Sequence, residues 1–90
     1  MKINFAREFI KQYRKANPKI KKAIDKRLKL FSENQLNPVL NNHQLSGNYQ
    51  GFRSINITGD WRAIYSETKD ENNQTLIIFN SLGTHSQIYR

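Results

Sequence analysis

The 90-residue chain has no cysteine. That removes disulfides and thiolate metal sites and makes a reducing cytoplasm the expected compartment. It also lacks long hydrophobic runs, with nothing near the roughly 18–20 apolar residues of a membrane helix. The first dozen residues carry a charge every few positions and no apolar core, so no signal peptide is expected there. Histidines number two, tryptophans one and prolines two. Two histidines, no cysteine and scattered acids form no recognisable ligand set, so neither a metal nor a cofactor is expected. Acids are scarce as well, seven against fifteen Lys and Arg, for a net charge of +8.

What is present is unevenly placed. Residues 1–30 hold eleven basic and two acidic side chains, +9 in all, whereas residues 31–90 hold four and five, −1. A basic N-terminal third suits a polyanion or an acidic protein, or it is simply a solvated helix face. Ninety residues make one domain, 1–90, burying about 60–65% of its extended surface.

Along the chain, Lys2–Phe5 alternates and reads as a short strand. From Ala6 the period becomes helical, with Phe5, Phe9 and Tyr13, flanked by Ile10 and Ala16, on one stripe. Asn17 and Pro18 then serve as N-cap and first position of a second helix, running to about Glu33. Ile20, Ala23, Ile24, Leu28 and Phe31 form its apolar stripe. Lys19, Lys22, Lys26 and Lys29 face water or a partner, either RNA or an acidic protein segment. Residues 34–50 read as a long polar loop with one apolar foothold, Val39-Leu40; loops of this length are often functional. A hairpin follows, with strands Phe52–Thr58 and Trp61–Thr68 around a Thr58-Gly59-Asp60 turn. Thr75–Asn80 is apolar enough to be a central strand. The order β-α-α-β-β-β predicts an α+β fold, a helical hairpin on one face of a mainly antiparallel sheet. The other face is expected to be open and polar.

The densest stretch is His43–Tyr65, with one of the two histidines, the only tryptophan, three of the four glycines, Arg53 and Arg62. His43-Gln44-Leu45-Ser46-Gly47, Gly51-Phe52-Arg53, Gly59-Asp60-Trp61 with Ile64-Tyr65, and Gly83-Thr84-His85-Ser86 together resemble the YafQ branch of RelE-type toxins. The run Ser54–Ile57 with Trp61-Arg62 is also similar to HigB toxins. In the N-terminal half the resemblance extends to element order and the basic helical hairpin. It implies a bacterial type II toxin that cleaves messenger RNA on the ribosome and is neutralised by a protein antitoxin. It also implies catalytic roles for His43, Asp60 and His85, with Tyr89 as the C-terminal aromatic; Arg62 matches the strand arginine of RelE and YoeB, where YafQ has an apolar residue. The chain departs from the YafQ pattern at Asn56, where that branch has a further histidine, and at Ser54, where it has an acid. Two other readings stand beside this one. A ParE-like gyrase inhibitor would share the fold without needing the histidines, and a non-catalytic RNA- or antitoxin-binding module would suit the loss at Asn56.

The residue types fit the chemistry independently of the family. Metal-free RNA cleavage needs a base for the 2′-OH, an acid for the leaving 5′-oxygen and a cation for the phosphate. His85 is the expected acid, and His43 and Asp60 compete for the base. Arg62 would clamp phosphate, with Arg53 a weaker candidate because strand alternation puts it on the face opposite Asn56. Trp61 and Tyr89 could stack a base of single-stranded RNA. Each also has a plain structural role open to it: Asp60 closing the turn, Trp61 in the core, Arg62 pairing with Glu67, Tyr89 packing on the sheet.

Overall fold

The computed structural model describes residues 1–89. Its elements are β1 (Lys2–Phe5), α1 (Arg7–Lys15), α2 (Pro18–Glu33), β2 (His43–Gln44), β3 (Arg53–Asn56), β4 (Trp61–Lys69), β5 (Thr75–Thr84) and α3 (His85–Ile88). The strands form one five-stranded sheet in the order β1-β5-β4-β3-β2. β1 runs parallel to β5 and the other pairs are antiparallel. β5 is therefore central, as its apolar run predicts, and the α+β expectation holds.

The helical hairpin forms for the reasons visible in sequence. Asn17 caps α2 by accepting the Ile20 N–H at 2.9 Å, and Pro18 occupies the first turn, where no N–H is needed. Ile24 and Phe31 are fully buried on the sheet face that carries Ile55, Ala63, Tyr65, Ile77, Phe79 and Leu82. Phe31 lies edge-on to Tyr65 and to Phe79, with ring centroids 5.0 and 5.2 Å apart. Such contacts add to the hydrophobic gain of burying three large rings.

Four expectations need correction. The first-helix stripe is narrower than its spacing suggests. Phe9 and Ala16 are buried, but Phe5 and Ile10 remain 41% and 39% exposed because β1 is an edge strand and no element covers that side. In the long loop, Leu40 alone is the foothold. It is buried in a 3₁₀ turn capped by Asn37, while Val39 points outward.

The third correction concerns β5, which runs four residues past Asn80. Tyr65 pairs with Phe79 but Ile64 with Ser81, so Asn80 is an extra residue, a β-bulge. The bulge breaks the alternation that marks a strand, so sequence periodicity ends the strand too early. It also resets which side chains face which way. Phe79 and Leu82, three residues apart, both face the helices, while Gly83 stands opposite Arg62 on the other face.

That other face is not fully open. α3, capped by a Thr84–Gln87 capping box, folds back over it with Ile88 buried. Tyr49 of the 44–52 loop donates its hydroxyl to the Ile88 carbonyl at 2.9 Å. Beneath them Ser54 and Ile64 are buried. A T-x-x-Q signal at Thr84–Gln87 announces this helix in the sequence.

Replacing Phe31 by Ala should cost about 3–5 kcal/mol, because Tyr65 and Phe79 lose a shared neighbour. Leu36→Ala, at a position 71% exposed, should stay within about 0.5 kcal/mol. Urea unfolding monitored by circular dichroism measures both.

Candidate active site

The cleft lies on the face away from α1 and α2, between the 41–46 segment and α3. About 560 Å³ is enclosed by Asn41, His43, Gln44, Leu45, Ser46, Arg62, His85 and Tyr89. Four of the residues expected from sequence therefore meet in one place.

His43 arrives on β2, whose register pairs it with Ser54. Its Nδ1 lies 2.8 Å from the Asn41 carbonyl oxygen. A carbonyl can only accept, so Nδ1 carries the proton and Nε2 of the neutral ring holds the lone pair. Asn41 itself adopts a left-handed backbone, φ 45°, a conformation asparagine tolerates better than most residues. The orienting group is thus a main-chain oxygen two residues upstream, which no sequence motif discloses.

Arg62 sits on β4 opposite Asn56 and Gly83. Its Nη1 donates to the carbonyls of Thr58, Gly59 and Trp61 at 3.0, 3.0 and 3.2 Å. The hairpin turn is therefore built around the guanidinium and around Thr58 Oγ1, which accepts from the Asp60 and Trp61 N–H groups at 3.3 and 3.1 Å. The alternative pairing with Glu67 does not form, since Glu67 accepts from Gln35 at 2.8 Å and Arg62 lies on the other sheet face. One edge of the fork is fixed by neutral oxygens, leaving its charge and remaining donors for an anion.

His85 is the first residue of α3. Its backbone N–H donates to the Asp60 carbonyl at 2.9 Å, tying α3 to the hairpin tip. Its ring lies 4.7 Å from that of Tyr89, one helical turn on, and Tyr89 in turn packs edge-on against Tyr49 at 5.8 Å. Tyr49 was not singled out by sequence, yet it supports both Tyr89 and α3. Its only signal is an aromatic within a polar loop.

The remaining candidates lie elsewhere. Asp60 is exposed at the hairpin tip and its carboxylate is not part of the cleft lining; what it contributes is the carbonyl that holds His85. Trp61, adjacent to Arg62 in sequence, faces the opposite side of the sheet and packs against the core beside Ala16 and Leu82. It cannot stack a base in the same cleft, as strand alternation dictates. Arg53 also faces away, donating Nε to Asn42 Oδ1 at 2.8 Å. Lys19, Lys22, Lys26 and Lys29 are exposed on α2, in the layer across the sheet from the cleft. Asn56 lies on the cleft face, but its Oδ1 is buried without a hydrogen-bond partner.

Among the described residues no cluster of three or more His, Cys, Asp or Glu could hold a metal. No helix of the described residues is long and apolar enough to cross a membrane.

Comparison with known structures supports this architecture. YafQ from E. coli strain BL21(DE3) superposes with a TM-score of 0.74 at 23% identity, over 98% of this chain and 97% of that one. A YoeB/ParE toxin from Agrobacterium tumefaciens gives 0.74 at 15% identity, over 94% and 99%. The YoeB–YefM complex from Staphylococcus aureus gives 0.69 at 26% identity, over 94% and 97%. No curated protein sequence matches the chain. The family model for the YafQ bacterial toxin of type II toxin–antitoxin systems matches residues 1–90. On that full-length match, within a RelE-type fold, the chain belongs to the YafQ family of type II toxins.

Proposed function

We propose that this toxin is a metal-independent endoribonuclease acting on messenger RNA at the ribosome, with the cleft as its active site. The observation that carries the proposal is the convergence of His43, Arg62, His85 and Tyr89 on one cleft from three separate parts of the chain. A gyrase inhibitor would have no use for two histidines lining one cleft with an arginine.

The geometry divides the roles. The bare Nε2 of His43 removes the 2′-OH proton; the reading prefers His43 to Asp60 because His43 lines the cleft and the Asp60 carboxylate does not. The 2′-oxygen attacks the adjacent phosphorus in line, closing a 2′,3′-cyclic phosphate as the bond to the 5′-oxygen breaks. Protonated His85 delivers a proton to that leaving oxygen. The donors of Arg62 not engaged by the turn hold the charge that builds on the non-bridging oxygens. Tyr89, steadied by Tyr49, offers its ring to a flanking base.

For the partner, we propose a protein antitoxin bound on the helical side. E. coli YafQ is known in complex with DinJ, and the Staphylococcus YoeB in complex with YefM. In this chain Phe5, Phe9, Ile10, Tyr13 and Leu28 line an apolar groove between α1, α2 and the sheet edge. Arg14 borders it, and Lys21 Nζ lies 5.8 Å from the Tyr13 ring centroid. With Lys19, Lys22, Lys26 and Lys29 exposed nearby on α2, an acidic amphipathic helix complements this surface in both polarity and charge.

His43→Ala and His85→Ala should each lower cleavage by about 10²–10⁴-fold, enough to convert growth arrest into growth. Arg62→Ala should reduce kcat by about 10²–10³-fold. A fully toxic His85→Ala protein defeats the general-acid role, and arrest with DNA damage instead of message loss would indicate a gyrase target.

Antitoxin affinity should fall as salt rises, and Lys22→Glu with Lys26→Glu should weaken it further. Calorimetry at low and moderate salt tests this; constant affinity would leave the lysine face merely solvated.

A further inference from the structure

Beside α3, on the side of the sheet away from the cleft, Trp61 stands in a second hollow of about 520 Å³ with Gln12, Lys15, Asn17, Leu82 and Gln87. The polar groups there have one chemical character. Gln12 Oε1 accepts the Leu82 N–H at 2.6 Å, Asn17 Oδ1 accepts the Ile20 N–H at 2.9 Å, and Gln87 Oε1 accepts the Thr84 N–H at 2.8 Å. Backbone N–H groups can only donate, so these bonds fix which end of each amide is the oxygen. Each side-chain amide oxygen in the hollow is thereby engaged within the protein. The side-chain groups that remain are three NH₂ groups and the exposed Lys15 ammonium, all of them donors.

A pocket of donors around a partly buried indole selects a ligand with an aromatic face and an excess of acceptor oxygens. A nucleotide fits: the base lies against Trp61 and the phosphate meets Lys15 and the amides. The hollow and the active-site cleft lie on opposite faces of the sheet but are built from the same elements. Trp61 follows the hairpin tip immediately before Arg62, and Gln87 lies on the same four-residue helix as His85. Gly83 keeps this junction tight, because a Cβ there would lie 3.0 Å from Gln87 Oε1.

We infer that the Trp61 hollow is a second RNA subsite, which rests on the cleft being the cleavage site. A strand cut between His43 and His85 would pass over the hairpin tip and place a flanking nucleotide on Trp61. An acidic peptide with an aromatic side chain would meet the same donors and the same indole, but nothing would bring it round the hairpin tip from the cleft, as a bound RNA strand would be.

Trp61 is the only tryptophan, so its fluorescence reports this site alone. The probe is a single-stranded 2′-O-methyl RNA oligonucleotide, which binds without being cut, labelled so that anisotropy measures total binding. Quenching of Trp61 should track binding. Lys15→Glu should weaken binding by about ten-fold and diminish the quench, while cleavage of an RNA dinucleotide confined to the cleft stays unchanged. Trp61→Phe should keep the fold and most of the affinity, and Trp61→Leu should lose about ten-fold. RNA bound by anisotropy with unchanged Trp61 emission overturns the subsite and leaves the cleft intact. An acidic peptide that quenches Trp61 where RNA does not overturns its assignment to RNA. Absence of any RNA binding defeats both the subsite and the cleavage function.

Discussion

Both faces of this molecule depend on how β4 pairs with β5. The ladder runs from Trp61 opposite Thr84 to Lys69 opposite Thr75 and is interrupted only where Asn80 is extruded. On the N-terminal side of the bulge, odd-numbered residues of β5 face the helices; beyond it, even-numbered ones do. The switch keeps Leu82 in the core and turns Gly83 toward Arg62, so that the strand ends with α3 folded over the cleft. An uninterrupted strand would place Gly83 and Leu82 on the wrong faces, losing a core leucine and displacing His85 together. The core and the site are thus linked by one unpaired residue.

The hairpin tip supplies the second constraint. Its turn is stabilised by Arg62 Nη1 and Thr58 Oγ1, and its Asp60 carbonyl receives the N–H of His85. Arg62 and His85, the proposed phosphate clamp and general acid, are therefore positioned by the same few atoms. Arg62 meets only neutral carbonyls at this turn, so its positive charge is preserved. A carboxylate there would have compensated it and weakened its grip on phosphate.

Much of this was legible in the residues. Asn17-Pro18, the stripe ending at Phe31 and the apolar run Thr75–Phe79 placed the helical hairpin and the central strand. The match of His43, Arg62, His85 and Tyr89 to a toxin pattern placed the cleft. What escaped was long-range or belonged to the main chain. The Asn80 bulge hides the end of β5 because it destroys the period that betrays a strand. The Asn41 carbonyl that orients His43 has no side-chain signature. Asp60 was a candidate through the resemblance, yet its carboxylate lies outside the cleft and its carbonyl oxygen holds the N–H of His85. Trp61 was a candidate for stacking a base, but strand alternation puts it on the face opposite Arg62, with the core. Phe5 and Ile10 had the right spacing for a core but lie at a sheet edge that nothing covers.

The proposed division of labour between His43 and His85 demands one kind of product. Proton removal from the 2′-OH and proton delivery to the 5′-oxygen leave a 2′,3′-cyclic phosphate on one fragment and a 5′-hydroxyl on the other. Mass spectrometry of the fragments formed from a defined RNA, in the presence of a chelator, reads this directly. The account predicts those two ends and no cleavage where the residue 5′ to the cut carries 2′-deoxyribose. Fragments bearing 5′-phosphates, or cleavage of the 2′-deoxy substrate, would contradict it.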